Sequence, residues 1–288
     1  MKRVLLTRSA PPGHWVGDGF PVRSLLFYGD EVGERISPFL LLDHAGPAEF
    51  PPTDERRGVG EHPHRGFETV TIVYHGQVEH HDSAGNRGTI GPGDVQWMTA
   101  ARGVIHEEYH GTDFRRTGGA FEMVQLWVNL PAAHKMSPPR YQAIRGADIP
   151  AVEIAEGAGR VRIVAGEYGG TTGAARTVTP VDVWDARLAA GASAELPLPD
   201  GRVAVVVFLD GALAIGEGRL GTGLGTGEIA LLGEDGAGVA LRAEEDTRFL
   251  LLHGEPLGEP VVGRGPFVMN TEAEIRQAMV DFAEGRFA

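Results

Sequence analysis

The amino-acid sequence predicts a mainly β protein made of two antiparallel β-barrel units, with one α-helix near its C-terminal end. Three observations carry this expectation. Glycine (42 residues) and proline (19 residues) punctuate the 288-residue chain every few positions, which favours many short strands and turns over long helices. Two stretches, ETVTIVYHGQVEHHD (68–82) and RVAVVVFLDGALAIG (202–216), are rich in β-branched and aromatic residues, and each is broken by a glycine turn. Near the end, Thr271-Glu272-Ala273-Glu274 has the form of a capping box, and Ile275, Met279 and Phe282 follow at helical spacing.

The bulk properties exclude several function classes. Apolar residues make up 42% and charged residues 23%, the balance of an ordinary folded chain. A net charge of -13 argues against a nucleic-acid or anionic-membrane surface, because phosphate binding relies on clustered Lys and Arg. The chain has no cysteine, which removes disulfides, zinc fingers, iron–sulfur clusters and thiol catalysis. The N-terminal apolar run is interrupted at Thr7, Arg8 and Ser9, too early for a signal peptide, and no run is fit to span a bilayer. The expected location is the cytoplasm.

Taken in order, the elements form a repeat. Ile72-Val73-Tyr74-His75-Gly76-Gln77-Val78 is followed by Gly91-Pro92-Gly93-Asp94-Val95; Val207-Phe208-Leu209-Asp210-Gly211-Ala212-Leu213 is followed by Thr226-Gly227-Glu228-Ile229. An apolar strand turns at a glycine in both halves, and a Gly-Asp or Gly-Glu turn follows at a similar distance. This reads as one β unit used twice, with a seam in the loop-rich stretch 145–160. The expected domains are 1–148 and 149–288, the second ending in a helix over 271–284 packed on a barrel. Gly216-Glu217-Gly218-Arg219-Leu220-Gly221 matches a dinucleotide fingerprint in letters only. More Gly and Thr and then EIALLG follow it, so it reads as a hairpin loop.

The chemistry concentrates in the first half. In His62-Pro63-His64 and His106-Glu107-Glu108, residues two apart on an extended chain point to the same side. Two such pairs on neighbouring strands offer three imidazole nitrogens and one carboxylate oxygen to a single ion, and leave two octahedral positions open. Alternation selects Glu108 over Glu107. The repeat supplies a control: aligning Gly76 with Gly211 places Pro197 and Pro199 opposite His62 and His64. Aligning Gly93 with Gly227 places Ala240 and Arg242 opposite His106 and Glu108. The second half therefore lacks the ligands. Without thiolate, this donor set suits Fe(II), Mn(II), Ni(II), Cu(II) or Zn(II).

Other residues have plainer readings. His80 and His81 read as a solvated turn with one possible place at a cavity mouth, and His253 as structural. Gln125 offers a hydrogen bond beside the ligands or a satisfied core amide. Phe67, Val73, Trp97 and Met98 read as pocket walls or plain core.

The stretches HPHRGFETVT (62–71), PGDVQWMTAARGVIHEE (92–108), QLWVNL (125–130) and GPFVMNT (265–271) together resemble the pirin family of bicupins. His62-x-His64, Glu68 and Gly103-Val104-Ile105-His106 also fit the cupin motifs loosely. The resemblance implies two cupin-type jelly-roll domains and iron in the N-terminal one, held at the positions of His62, His64, His106 and Glu108. Where the family motif carries Ala between His and Glu, this chain carries Glu107. The resemblance further implies quercetin 2,3-dioxygenase activity on a flavonol, with Glu108 as the catalytic base. It implies alternatively an iron- and redox-dependent regulatory role through protein partners.

Overall fold

The structure, a computed structural model, describes residues 1–154, 157–216, 218–220 and 227–287, with 218–220 described by backbone alone. It divides into two compact units. One comprises Gly13–Val22, Leu41–Gly146 and Leu257–Ala288; the other comprises Met1–Pro12, Arg23–Leu40 and Ala147–Pro256. The division at Gly146/Ala147 falls close to the expected seam, but the units depart from 1–148 and 149–288 at both ends. The C-terminal stretch with the helix belongs to the histidine-rich unit. The strand Val4–Ser9 pairs antiparallel with Glu228–Leu232 in the other.

In the histidine-rich unit a seven-stranded sheet runs in the order Arg140–Ile144, Val95–Thr99, Phe67–His75, Gly119–Asn129, Phe39–Phe50, Phe20–Phe27, His14–Val16. A four-stranded sheet runs in the order Gly58–His64, Val104–His110, Val78–Asp82, Arg87–Ile90. Val73, Phe121 and Met123 from the first sheet meet Val78 and Ile90 from the second in one apolar core. The sheets do not close into the barrel expected from the sequence; the unit is a two-sheet jelly-roll sandwich. Alternation alone predicts an apolar face, and it does not decide whether the sheet edges meet.

The second unit repeats the plan. Its seven-stranded sheet runs Val4–Ser9, Glu228–Leu232, Val203–Asp210, Thr247–Gly254, Val181–Leu188, Gly159–Ala165, Ala151–Ile154; its four-stranded sheet runs Ser193–Pro197, Gly238–Ala243, Leu213–Ile215, Gly218–Leu220. The turn glycines of the repeat, Gly76, Gly93, Gly211 and Gly227, all have positive φ (+80°, +88°, +95° and +49°), which explains why glycine recurs there. Thr226 of the repeat, Glu217 and Gly221 of the GxGxxG stretch, and Ala155 and Glu156 of the seam lie outside the described residues. Gly218–Leu220 pairs with Leu213–Ile215, so this part of the glycine-rich stretch is a hairpin.

The pairing register corrects the alignment of the halves. Ser193–Pro197 pairs with Gly238–Ala243, with Ala194 opposite Leu241 and Leu196 opposite Val239. These four residues face the apolar core, whereas Arg242 is exposed. The inward positions on the matching strands are thus Ala194, Leu196, Val239 and Leu241, an odd number of residues out of step with the glycine-anchored alignment: Ala194 and Leu196 stand three before Pro197 and Pro199, and Val239 and Leu241 one before Ala240 and Arg242. Such a slip exchanges the two faces of a strand. The conclusion that this half lacks the four ligands stands, with a physical reason: aliphatic packing fills the place.

The helix runs from Glu272 to Ala283 with Thr271 as N-cap. The Glu274 amide donates to Thr271 Oγ1 (3.2 Å), and the Asn270 amide donates to Glu274 Oε2 (3.1 Å), so the box closes one residue before the cap. Its buried face is Ile275 and Ala278, packed with Phe267, Met269 and Phe287. Met279 and Phe282, expected in the core, are 41% exposed. Among the described residues no helix is long and apolar enough to cross a membrane.

Lys135, 1% exposed, ties this C-terminal segment to the histidine-bearing stretch. Its Nζ donates to the carbonyls of Gly66 (2.7 Å) and Val268 (3.0 Å) and to Asn129 Oδ1 (2.6 Å). Gly66 (φ +92°) must be glycine, since a Cβ there would land on the Val268 carbonyl. Replacing Lys135 with Met is expected to cost about 2–3 kcal/mol, by leaving three buried acceptors unmet. Burial pushes the lysine pKa down from 10.5 to about 7. Between those values the unfolded chain binds more protons than the folded one, so stability rises with pH across the window and is lost as pH falls through about 7. Urea melts of native protein and Lys135→Met at pH 7 and 9.5 should show the native advantage larger at pH 9.5.

Candidate metal centre

The strand Val104–His110 lies between Gly58–His64 and Val78–Asp82, and its register builds the cluster. His106 is opposite His62 on one side and Asp82 on the other; Val104 is opposite His64, and Glu108 is opposite His80. A bulge between His106 and Glu108 shifts the pairing so that Glu108 meets Val59. Bulges at such places re-aim side chains without breaking the sheet.

The three imidazoles converge. Ring centroids are 4.9 Å apart for His62 and His64, 4.2 Å for His62 and His106, and 4.8 Å for His64 and His106. Each ring offers one ligand nitrogen, and these lie within 4.8 Å of one another. His106 and Glu108 also form such a group with His80. Glu108 thus shares the inward face with His106, while its oxygens group with His106 and His80 rather than with all three predicted histidines. Glu107 lies on the other face, within reach of Arg56 (3.4 Å) and His81 (3.6 Å).

The hydrogen bonds leave lone pairs pointing inward. His62 Nδ1 lies 2.8 Å from the Gly60 carbonyl; a carbonyl only accepts, so Nδ1 carries the proton and Nε2 is bare. His64 Nδ1 and His106 Nε2 are buried and without a hydrogen-bond partner among the described residues. Burial, then neighbouring histidines, push the pKa of both His64 and His106 well below 6.5, so both rings are neutral near pH 7. A buried imidazole nitrogen without a partner is costly unless something electrophilic meets it, and the donor set fits a metal ion. Gln96 Nε2 donates to Glu108 Oε1 (2.9 Å) and Thr71 Oγ1 lies 3.5 Å from the same oxygen.

A cavity of about 310 Å³ opens beside this cluster, with His62, His64 and Glu108 in its lining. Val16, Phe20, Val22, Val59, Met123 and Trp127 give it apolar walls, and Asp43 and Gln125 are its other polar groups. Gln125 therefore takes the place beside the ligands that the sequence suggested, accepting from Thr71 Oγ1 at 3.0 Å. Phe67, Val73, Trp97 and Met98 are fully buried core, the plainer of their two readings; Phe67 supports the wall from behind by stacking on Trp127 at 4.2 Å. The sequence reading missed Trp127 although it lies in the quoted QLWVNL stretch. It also placed His80 in a solvated turn, whereas His80 is 3% exposed beside His106. The signal available was its own alternation: His80-x-Asp82 repeats the spacing of His106-x-Glu108.

His253, read as structural, is buried against Asp182 (2.8 Å) in the other unit.

The chain is similar to known proteins along its length. The family model "Pirin" matches residues 21–128, and "Pirin C-terminal cupin domain" matches 183–288. The chain is 57% identical over 287 residues to a Pseudomonas aeruginosa protein named "Putative quercetin 2,3-dioxygenase", covering 100% of this chain and 99% of that one. It is 36% identical over 258 residues to human pirin, covering 88% and 83% of the two chains. The crystal structure of quercetin 2,3-dioxygenase from Acinetobacter baumannii superposes with a TM-score of 0.95 at 52% identity, covering 100% of this chain and 99% of that one.

Proposed function

The chain belongs to the pirin family, whose members pair two cupin domains, and on that premise we propose that it is a metal-dependent quercetin 2,3-dioxygenase. His62, His64, His106 and Glu108 hold the ion, and Fe(II) is the proposed metal among those the donor set suits. The observation that carries this reading is the convergence of three imidazoles, two with a buried and unpartnered nitrogen, on an apolar cavity.

When bound, Fe(II) supplies Lewis acidity toward an ionised hydroxyl and electron transfer toward dioxygen. The protein supplies the rest. The cavity of about 310 Å³ suits a compact planar ring system, and Phe20, Met123 and Trp127 exclude water around it. Glu108 Oε1 accepts from Gln96 Nε2, while the Thr71 hydroxyl spends its proton on Gln125; Oε2 is left to take the proton of the flavonol 3-hydroxyl. Gln125 and Asp43 stand where ring hydroxyls can be oriented. The overall reaction adds one dioxygen to the flavonol and releases one carbon monoxide and a depside.

The test is anaerobic Fe(II) loading followed by quercetin and air, with flavonol absorbance and carbon monoxide followed together. Turnover with equimolar carbon monoxide is expected, and its absence from a verified Fe(II) form overturns the proposal. Glu108→Ala should lower turnover by about a hundredfold or more, the usual weight of a general base. Glu107→Ala, on the opposite face, should stay within about twofold of native.

A further inference from the structure

Beside the proposed ligands lies a hydrogen-bonded chain that the metal reading does not use. Asp82 is 3% exposed and fixed in place: its Oδ1 accepts from the amides of Ala84 (3.0 Å) and Asn86 (2.9 Å), and Asn86 Nδ2 reaches both oxygens (3.1 and 2.9 Å). Its Oδ2 lies 3.2 Å from His80 Nε2. His80 Nδ1 in turn lies 3.4 Å from His106 Nδ1. The Tyr141 ring stacks on His80 at 4.7 Å with an interplanar angle of 16°, which sets the imidazole plane. Tyr141 also donates to Gln96 Oε1 (3.2 Å), the amide whose Nε2 holds Glu108.

We infer that Asp82 and His80 are positioning residues that set the tautomer of His106, and with it the nitrogen presented to the ion. The inference rests on His106 being a metal ligand. The direction of each bond follows from what each group can do. A carboxylate only accepts, so His80 Nε2 carries the proton; in a neutral imidazole the other nitrogen, Nδ1, is then the acceptor. His106 Nδ1 must therefore donate to it, which leaves His106 Nε2 bare, and this is the atom that is buried without a partner. Ligating histidines elsewhere are oriented through their second nitrogen by a carboxylate or carbonyl. Here a second imidazole is interposed between carboxylate and ligand. Strand register makes this possible, since Asp82 is opposite His106 and His80 is opposite Glu108.

Asp82→Asn tests the chain with little change of shape. The amides of residues 84 and 86 keep the side-chain oxygen of the new residue at the Oδ1 position, which turns its NH₂ toward His80. His80 must then accept through Nε2 and donate through Nδ1, and His106 is driven to the Nε2–H tautomer, the wrong one for binding. Two measurements read this out. The ¹⁵N shifts of the apoprotein's His106 should move from the Nδ1–H to the Nε2–H pattern. Titration with Co(II) alone, followed by its d–d absorbance, should show affinity reduced about 10- to 100-fold, with circular dichroism unchanged. His80→Phe keeps the stack on Tyr141, removes the acceptor, and should weaken Co(II) binding to a similar degree. Native-like Co(II) affinity in Asp82→Asn, or an unchanged His106 tautomer, overturns the inference. So does complete loss of Co(II) in His80→Phe with full retention in Asp82→Asn, which would make His80 a ligand. His106→Ala is the reference: if it binds Co(II) normally the ligand reading fails, and if it alone loses the ion only the positioning chain fails.

Discussion

His106→Ala should purify as a folded protein that has lost its metal. Elemental analysis is expected to fall from about one equivalent per chain to below about a tenth, because one of three converging imidazoles and the link to Glu108 disappear together. His106 occupies the middle of the cluster, 4.2 Å from His62 and 4.8 Å from His64 between ring centroids. It is also the residue common to both candidate ligand groups, so neither group of three survives its removal among the described residues. The fold should persist, since the apolar cores of both units are built without it. Metal saturation at 100 times the dissociation constant stabilises native protein by roughly 2.7 kcal/mol, and this thermal shift should vanish in the variant. A variant that still binds one equivalent would overturn the assignment of His106.

Asp281→Ala is expected to produce the largest loss of stability, about 3 kcal/mol, although Asp281 lies on the C-terminal helix, far in sequence from the histidines. Arg65 directly follows His64 and is 3% exposed. Its Nε donates to the Arg102 carbonyl (2.5 Å), its Nη1 to Asp281 Oδ2 (2.7 Å), and its guanidinium carbon lies 4.2 Å from the centre of the Phe287 ring. Removing the aspartate leaves a buried cation without its countercharge, and desolvation that was offset is offset no longer. Differential scanning calorimetry should show Tm lowered by roughly 6–12 °C. Adding Arg65→Met to Asp281→Ala should recover part of the loss, because the stranded charge goes too; a double variant no better than the single would refute this account. The pH dependence has a definite sign. Arg65, then Arg286 and Gln277, hold the Asp281 carboxyl far below its ordinary value of 3.8. A depressed carboxylate contributes fully above the unfolded value and loses its contribution only as pH falls toward the folded one. The difference between native protein and Asp281→Ala should therefore be constant from pH 8 to about 4.5 and shrink in stronger acid.

Much of the candidate site was legible because strand geometry has a short period. His62 with His64, and His106 with Glu108, are two apart and share a face in the structure, while Glu107 points to the opposite side. The helix start was legible for a similar reason, since the capping box is local chemistry completed within four residues. The family, too, is carried by contiguous stretches such as HPHRGFETVT.

What depends on pairing between distant strands was not legible. Alternation groups residues by face and leaves open which face is inside and what stands opposite. His80 thus read as solvated and is buried against His106, and the cavity walls came from Val16, Phe20, Val22, Met123 and Trp127 rather than from Val73, Trp97 and Met98. The same limit put the second half's alignment an odd number of residues out of step. The sequence by itself determined the β character, the repeat, the four clustered donors and the half that holds them, since each is written in spacing within one strand or turn. Only the tertiary structure decided the open jelly-roll sheets, the exchange of chain ends between units, and the chain from Asp82 through His80 to His106. Each of these is set by the register of strands that meet only when the chain folds.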